Sequence, residues 1–209
     1  MTKKILILLL AIIMVFSLVL FGCGKKEPAA ETTTETTEET KSQTQEVEVT
    51  FITEDGIDIN ENIFGSGNKW VILSHMFSTN QTSWFGFAQY LADNGYMALT
   101  YDFRGYGKSG GKQDISNIDK DLEAALVFVR QHNVEKVFLM GASMGATVSL
   151  IVASRQSVDG VISFSSPVKI MSLSAINIIK NINAPKLFIA SLGDIAEAAN
   201  ARAFCQASS

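Results

Sequence analysis

The stretch VFLMGASMGA, residues 137–146, decides the fold. Its first four residues are apolar, as in a short strand that is buried on both faces of a parallel sheet. Gly141, Ser143 and Gly145 follow at Gly-x-Ser-x-Gly spacing, and a helical pattern continues to Ala153. In this strand, sharp turn and helix, the glycines allow a tight turn that lifts the serine above the sheet. The stretch therefore predicts Ser143 as a nucleophile, with a helix N-terminus behind it that stabilises developing negative charge.

Short apolar runs and helical patterns alternate on both sides of this motif. Beyond Val137–Met140, strands are predicted at Trp70–Ser74, Met97–Tyr101, Gly160–Phe164 and Lys186–Ala190. Helices are predicted at Ser83–Asn94, Ser116–Gln131, Gly145–Ser154 and Lys169–Asn181. The pattern predicts an α/β fold, a mostly parallel sheet with helices on both faces and right-handed crossovers.

Two local signals refine these elements. Val47, Val49 and Phe51 alternate with polar residues up to the turn signal Asp55-Gly56, which predicts an opening hairpin. Ser116 and Asp119 stand at the spacing of a capping box, which predicts the start of the second helix.

Two more motifs precede the serine. Ser74-His75-Met76-Phe77 follows the first parallel strand, and residues 102–110 read DFRGYGKSG. With the motif at Ser143, and in this order, they make the chain from Val47 onward resemble the α/β-hydrolase family.

This resemblance implies that Ser143 is the catalytic nucleophile. It also implies that the backbone N–H groups of Phe77 and Met144 form an oxyanion hole. The family's acid follows a later strand, which points to Asp194, a residue equally suited to cap the helix that follows it. Asp102 and Arg104 are interpreted as residues that brace their own loop.

The family's catalytic base is a histidine near the C-terminus, and only His75 and His132 are present. The resemblance makes His75 a structural residue of the oxyanion loop, and His132 is predicted at the surface. Residues 195–204 have the pattern of the helix that should lead to one more strand. We therefore expect the domain, residues 47–209, to be incomplete at its C-terminus, without its last strand and catalytic-histidine loop.

The N-terminus predicts export. Lys3 and Lys4 precede the apolar run Ile5–Phe21, as in a secretory signal. Residues Leu20-Phe21-Gly22-Cys23 resemble a bacterial lipobox, which implies a signal peptide at 1–22 and lipidation (palmitate) of Cys23. An uncleaved membrane anchor is the alternative. Either interpretation predicts an extracytoplasmic location, the first one as a lipoprotein anchored to the bacterial cell membrane.

Residues 23–46 are rich in Thr and Glu and contain no large apolar side chain, so they are predicted to form a disordered tether. The net charge of −4 becomes −6 without residues 1–22, which excludes a basic nucleic-acid footprint. Two cysteines cannot build a disulfide framework, and no ligand spacing for a metal is present. Residues 105–111 lack the ending of a phosphate-binding loop, and no cofactor is expected.

Together these features predict a membrane-anchored serine hydrolase that cleaves ester or peptide bonds through an acyl-enzyme. Its partners would be a small-molecule or peptide acyl substrate and the membrane. Without the histidine, activity is expected to be absent or impaired. The alternatives are a non-catalytic surface lipoprotein that uses the scaffold for binding, and a remnant that does not fold.

Overall fold

A computed structural model describes residues 47–208 of the chain. Its strands are β1 (Val47–Ile52), β2 (Asp58–Phe64), β3 (Lys69–Ser74), β4 (Met97–Tyr101), β5 (Lys136–Ala142), β6 (Gly160–Phe164), β7 (Lys169–Ile170), β8 (Leu173–Ser174) and β9 (Lys186–Ile189). Its helices are α1 (Phe85–Asp93), α2 (Ile118–Arg130), α3 (Met144–Ala153) and α4 (Ile195–Ala207). The predicted signal peptide, Cys23 and the tether lie outside the described residues.

Seven strands form one sheet in the order β1-β2-β4-β3-β5-β6-β9, which confirms the predicted mostly parallel sheet. The opening hairpin β1–β2 is antiparallel, and β2 pairs antiparallel with β4. All later pairings within this sheet are parallel, and β7 and β8 form a separate antiparallel pair. The loops that follow β3, β4, β5, β6 and β9 therefore share one edge of the sheet, which we call the carboxyl edge.

Each face of the sheet has its own apolar layer. On one face, α2, α3 and α4 cover the larger core, which includes Ile72, Leu99 and Leu139. On the other face, α1 covers Val71, Leu73 and their neighbours. Every residue of α3 is buried, as expected for a helix that is apolar on all sides. The helix that follows Ser143 is thus fixed from all directions.

Glu61 is an unusual member of the larger core. It lies on β2 opposite Tyr101 of β4, and its side chain is fully buried. Within residues 47–208 its carboxyl oxygens accept no hydrogen bond of standard geometry, and only the backbone of Phe51 favours the charged form. Burial raises its pKa to about 7 because the charged form loses its hydration.

The predicted helix over 169–181 is wrong. The structure has the β7–β8 hairpin there, followed by a 3₁₀ turn at Ile179–Asn181. The Ser174 hydroxyl donates to the Val168 carbonyl, which supports the hairpin, and Met171 has φ 50° at its tip. The four isoleucines of residues 176–182 also have low helix propensity because they are β-branched.

Two helix starts also differ from the prediction. The Ser116–Asp119 capping box does not form, because Asp114 accepts from the Ser116 N–H and caps a 3₁₀ turn before α2. Residues Gln81–Trp84 likewise form a 3₁₀ turn, and α1 begins only at Phe85. None of the helices within 47–208 is long and apolar enough to cross a membrane.

Candidate active site

Ser143 stands at the junction of β5 and α3 in a strained backbone conformation. Its φ of 49° and ψ of −111° are rare for a residue with a Cβ, and such strain typically costs about 1–3 kcal/mol. The Ser143 N–H donates to the Phe164 carbonyl at 2.9 Å. Its side chain makes no capping hydrogen bond with α3, although serine is a favoured cap. The hydroxyl is therefore raised above the edge of the sheet and is not used by the helix.

The two glycines of the motif are required by packing. A Cβ on Gly141 would lie 2.3 Å from the carbonyl carbon and oxygen of Gly145. A Cβ on Gly145 would lie 2.3 Å from the Ser74 carbonyl oxygen and 2.7 Å from that of His75. The first turn of α3 therefore lies directly against the end of β3, and no larger side chain fits between them.

This contact places the predicted oxyanion loop beside Ser143. The loop follows β3 and closes with a turn in which the Thr79 N–H and hydroxyl both donate to the Met76 carbonyl. Phe77 lies inside that turn, and its side chain is exposed. Met144 is the first residue of α3, so its N–H has no acceptor within the helix. The loop and the helix start adjoin, as an oxyanion hole formed by Phe77 and Met144 requires.

His75 is fully buried, and both of its ring nitrogens are engaged. The Phe103 N–H donates to Nε2 at 3.1 Å, so Nδ1 carries the proton and donates to the Met76 carbonyl at 2.8 Å. Burial lowers its pKa, which keeps the ring neutral. Its ring also packs edge-on against Phe103 and Tyr106. His75 thus supports the loop and is not available as a base.

His132 follows α2 and is exposed. Its ring lies 5.2 Å from that of Trp70, at the start of β3, and Nδ1 contacts the Phe128 carbonyl at 3.0 Å. The start of β3 is at the edge of the sheet opposite Ser143. Neither histidine of the chain is therefore placed to take a proton from Ser143.

Asp194 follows β9 on the carboxyl edge. The sheet order places it two strands from β5, and the Ser165 N–H, which follows β6, donates to the Ile189 carbonyl of β9 at 2.7 Å. Asp194 Oδ1 accepts from the Glu197 N–H at 3.2 Å and caps α4. The capping role is thus present, and the exposed carboxylate lies on the same edge as the serine.

Asp102 braces the loops beside the site. Its buried carboxylate accepts from the Gln81 N–H at 2.8 Å and from the Lys108 N–H at 2.9 Å. Gly107 has φ 48°, and a Cβ there would lie 2.0 Å from Asp102 Oδ2. Gln81 is a part of this network that sequence reasoning missed: its buried amide also contacts Asn60 and Thr100.

Arg104 holds the loop to the body of the domain. Its guanidinium lies 2.7 Å from Asp55 of the opening turn and 2.7 Å from the fully buried Asp121 of α2. Its hydrogen bond holds the pKa of Asp55 well below the usual range. Burial raises the pKa of Asp121 to about 6 although Arg104 favours its charged form. No group of three or more metal-ligating side chains occurs in the described part of the chain.

Comparison with known proteins agrees with this geometry. The family model described as serine aminopeptidase, S33, matches residues 66–195. A curated protein from Cyberlindnera fabianii, named a probable alcohol acetyltransferase, is 27% identical over 115 residues, or 53% of this chain and 31% of that protein. The chain thus spans about a third of the length of this relative.

Solved structures share the fold. An esterase from Pyrococcus furiosus has a TM-score of 0.67 at 20% identity, over 79% of this chain and 78% of its own. A serine hydrolase homologue from Coxiella burnetii has a TM-score of 0.67 at 24% identity, over 78% and 82%. The family model covers more than half of the chain, and the order of the strands and the position of the Gly-x-Ser-x-Gly turn between β5 and α3 agree with this fold. The chain therefore belongs to the serine aminopeptidase S33 family and has the α/β-hydrolase fold.

Proposed function

We propose that this chain is a serine hydrolase that cleaves ester or peptide bonds through an acyl-enzyme at Ser143. The observation that carries the proposal is the strained backbone of Ser143, which presents a hydroxyl that α3 does not use as a cap. Strain of this kind persists only where the surroundings enforce it, and here buried glycine contacts do so.

In the proposed reaction, Ser143 Oγ attacks the carbonyl carbon of the substrate while a base takes the hydroxyl proton. The N–H groups of Met144 and Phe77 stabilise the negative charge on the carbonyl oxygen, and loss of one such donor typically costs about 3–4 kcal/mol. Collapse of the intermediate releases an alcohol or amine, which takes the proton back from the base. Water then cleaves the acyl-serine. The relative from Cyberlindnera fabianii is named a probable alcohol acetyltransferase, and acetyl transfer to an alcohol would use the same acyl-enzyme with an alcohol in place of water.

Neither of the two histidines in the 209 residues is placed to act as the base. His75 has both nitrogens occupied, and His132 lies at the opposite edge of the sheet. We propose that the 209-residue form is inactive or impaired, and that a longer form contributes a histidine that Asp194 orients. Asp194 is suited to this role because it is exposed on the same edge as Ser143.

The proposed location is the outer face of a bacterial membrane, with a lipid on Cys23. It is supported by the charged start, the apolar run Ile5–Phe21 and the lipobox-like residues 20–23. Radioactive palmitate fed to expressing bacteria should label the chain. A Cys23→Ser variant should lose the label and remain uncleaved.

Serine-directed fluorophosphonate labelling tests the enzyme. A form extended beyond Ser209 by a strand and a histidine loop should be labelled, and Ser143→Ala should abolish the label. An extended form that unfolds cooperatively but is not labelled at Ser143 would refute the proposal.

The second candidate is a non-catalytic surface lipoprotein that uses the same scaffold for binding. The positions of both histidines favour it for the 209-residue form. Turnover of a p-nitrophenyl ester by this form that disappears in Ser143→Ala would contradict it.

A further inference from the structure

Large apolar side chains are exposed on the loops of the carboxyl edge. Leu192 and Ile195, which follow β9, are 85% and 82% exposed, and Phe77, beside Ser143, is 53% exposed. With Met76 and Met171 they form a set of five that we call the apolar edge. Exposed apolar side chains that gather on one side of a domain commonly mark an interaction surface.

The segments that carry these five side chains contain few charges, whereas the neighbouring loop after β4 carries the exposed Lys108 and Lys112. Residues 75–81 contain no Lys, Arg, Asp or Glu, and the one histidine there is the buried, neutral His75. The loop at 190–194 and the first residue of α4 have only Asp194, and residues 165–175 have only Lys169. A surface that is apolar and poor in charge loses little hydration when it leaves water, so it suits an uncharged, oily partner.

We propose that the apolar edge docks on the surface of a lipid bilayer, with Ser143 facing the lipid. This rests on the proposed attachment of the chain to a membrane. Groups docked in this way lie about 5–10 Å deep, at the boundary of headgroups and acyl chains. The side chains of Leu192, Ile195 and Phe77 would enter this layer, and acyl groups in the bilayer would be next to the nucleophile.

The chain outside the structure is long enough for this orientation. Residues 23–46 number 24, and the disordered tether that the sequence predicts there would have a root-mean-square span of about 27 Å. The 162 described residues correspond to a radius of gyration of about 15 Å. A lipid on Cys23 would therefore hold the domain near the bilayer and still let it turn the apolar edge toward the membrane.

Vesicle flotation tests the docking without the lipid anchor. The protein is the chain from residue 23 with Cys23→Ser, mixed with phosphatidylcholine vesicles, whose zwitterionic lipid gives no net charge attraction. We expect it to float with the vesicles, and Leu192→Ser with Ile195→Ser to weaken partitioning about tenfold or more. The matched control is Ile52→Ser with Val127→Ser, because these residues are 67% and 54% exposed but line the groove between β1 and α2. The control should float like the parent.

A second measurement does not depend on loss of binding. Because Trp70 and Trp84 also emit, each variant is compared with the parent: Leu192→Trp should add emission that shifts to the blue on vesicles and is quenched by brominated lipid, whereas the emission added by Ile52→Trp should show neither effect. The docking is refuted if the parent does not float, if both double variants weaken equally, or if the tryptophan introduced at position 192 stays unquenched on floating protein. Ser143→Ala should float like the parent, so failure of the hydrolase proposal would leave the docking intact.

Discussion

Replacement of Gly145 by alanine tests the contact that assembles the site. The new Cβ would lie 2.3 Å from the Ser74 carbonyl oxygen and 2.6 Å from its carbon, and both are backbone atoms of a central strand. No side-chain rotation can relieve this clash, so α3 must move away from β3. Overpacking in a well-packed interior typically costs about 1–3 kcal/mol, and a rigid backbone contact places Gly145→Ala at the upper end, about 3 kcal/mol.

The matched control is Gly86→Ala in α1. A Cβ there meets nothing within 4 Å, and the residue is exposed in a helix. Alanine should stabilise this helix by about 0.5–1 kcal/mol. Replacement of glycine by alanine is therefore expected to lower the free energy of unfolding at position 145 and to raise it at position 86.

Urea unfolding followed by far-ultraviolet circular dichroism measures both changes on the chain from residue 23 with Cys23→Ser. In thermal unfolding, 3 kcal/mol corresponds to a fall in Tm of about 6–12 °C for a domain of this size. A loss below about 0.5 kcal/mol for Gly145→Ala would refute the close contact between α3 and β3. The loop that contains Phe77 would then not be held beside Ser143.

Arg104→Ala should lower the free energy of unfolding by about 3 kcal/mol, because the buried Asp121 loses its ion-pair partner and keeps only the backbone N–H of residue 104 as a donor. Arg155→Ala, which removes more exposed ion pairs, should cost at most about 1 kcal/mol, and equal losses would contradict this account. Because the pKa of Glu61 is raised by folding, the folded state binds its proton more tightly, and stability should fall as pH rises from about 4.5 to about 7. Urea unfolding at a series of pH values should show that Glu61→Gln removes about 3 kcal/mol of this fall in the free energy of unfolding. Unchanged pH dependence would show that Glu61 is not buried as described. Ser143→Gly should be about 1 kcal/mol more stable than Ser143→Ala in urea, because only glycine relieves the positive φ, and equal stability would argue against strain.

The sequence predicts the parallel strands well because they are buried on both faces and therefore read as short apolar runs. Met97–Tyr101 and Gly160–Phe164 have the predicted bounds, and the others differ by one or two residues. The Gly-x-Ser-x-Gly turn is equally predictable, because backbone contacts exclude a side chain at Gly141 and at Gly145, and the motif has glycine at both positions. The placement of Ser143 above the sheet follows from these two features.

The parts that the sequence does not predict depend on contacts between distant residues. The 169–181 segment has apolar residues at helical spacing, but its side-chain bonds to the backbone favour a hairpin. Gln81 resembles a surface residue until the fold brings Asn60, Thr100 and Asp102 around it. The engagement of both His75 nitrogens is likewise visible only in three dimensions, because Phe103 lies 28 residues away.

The parallel half of the sheet implies a simple order of assembly during synthesis. From β3 outward, β5, β6 and β9 are added in chain order, each on the outer side of the strand before it. Strands can therefore join one by one as the ribosome releases them, at about 5–20 residues per second. At each stage the strand added last is an exposed edge strand of the sheet. Within residues 47–208 the final such strand is β9, on which Leu187 and Ile189 are exposed. Self-association during refolding should therefore begin at β9 and rise with protein concentration.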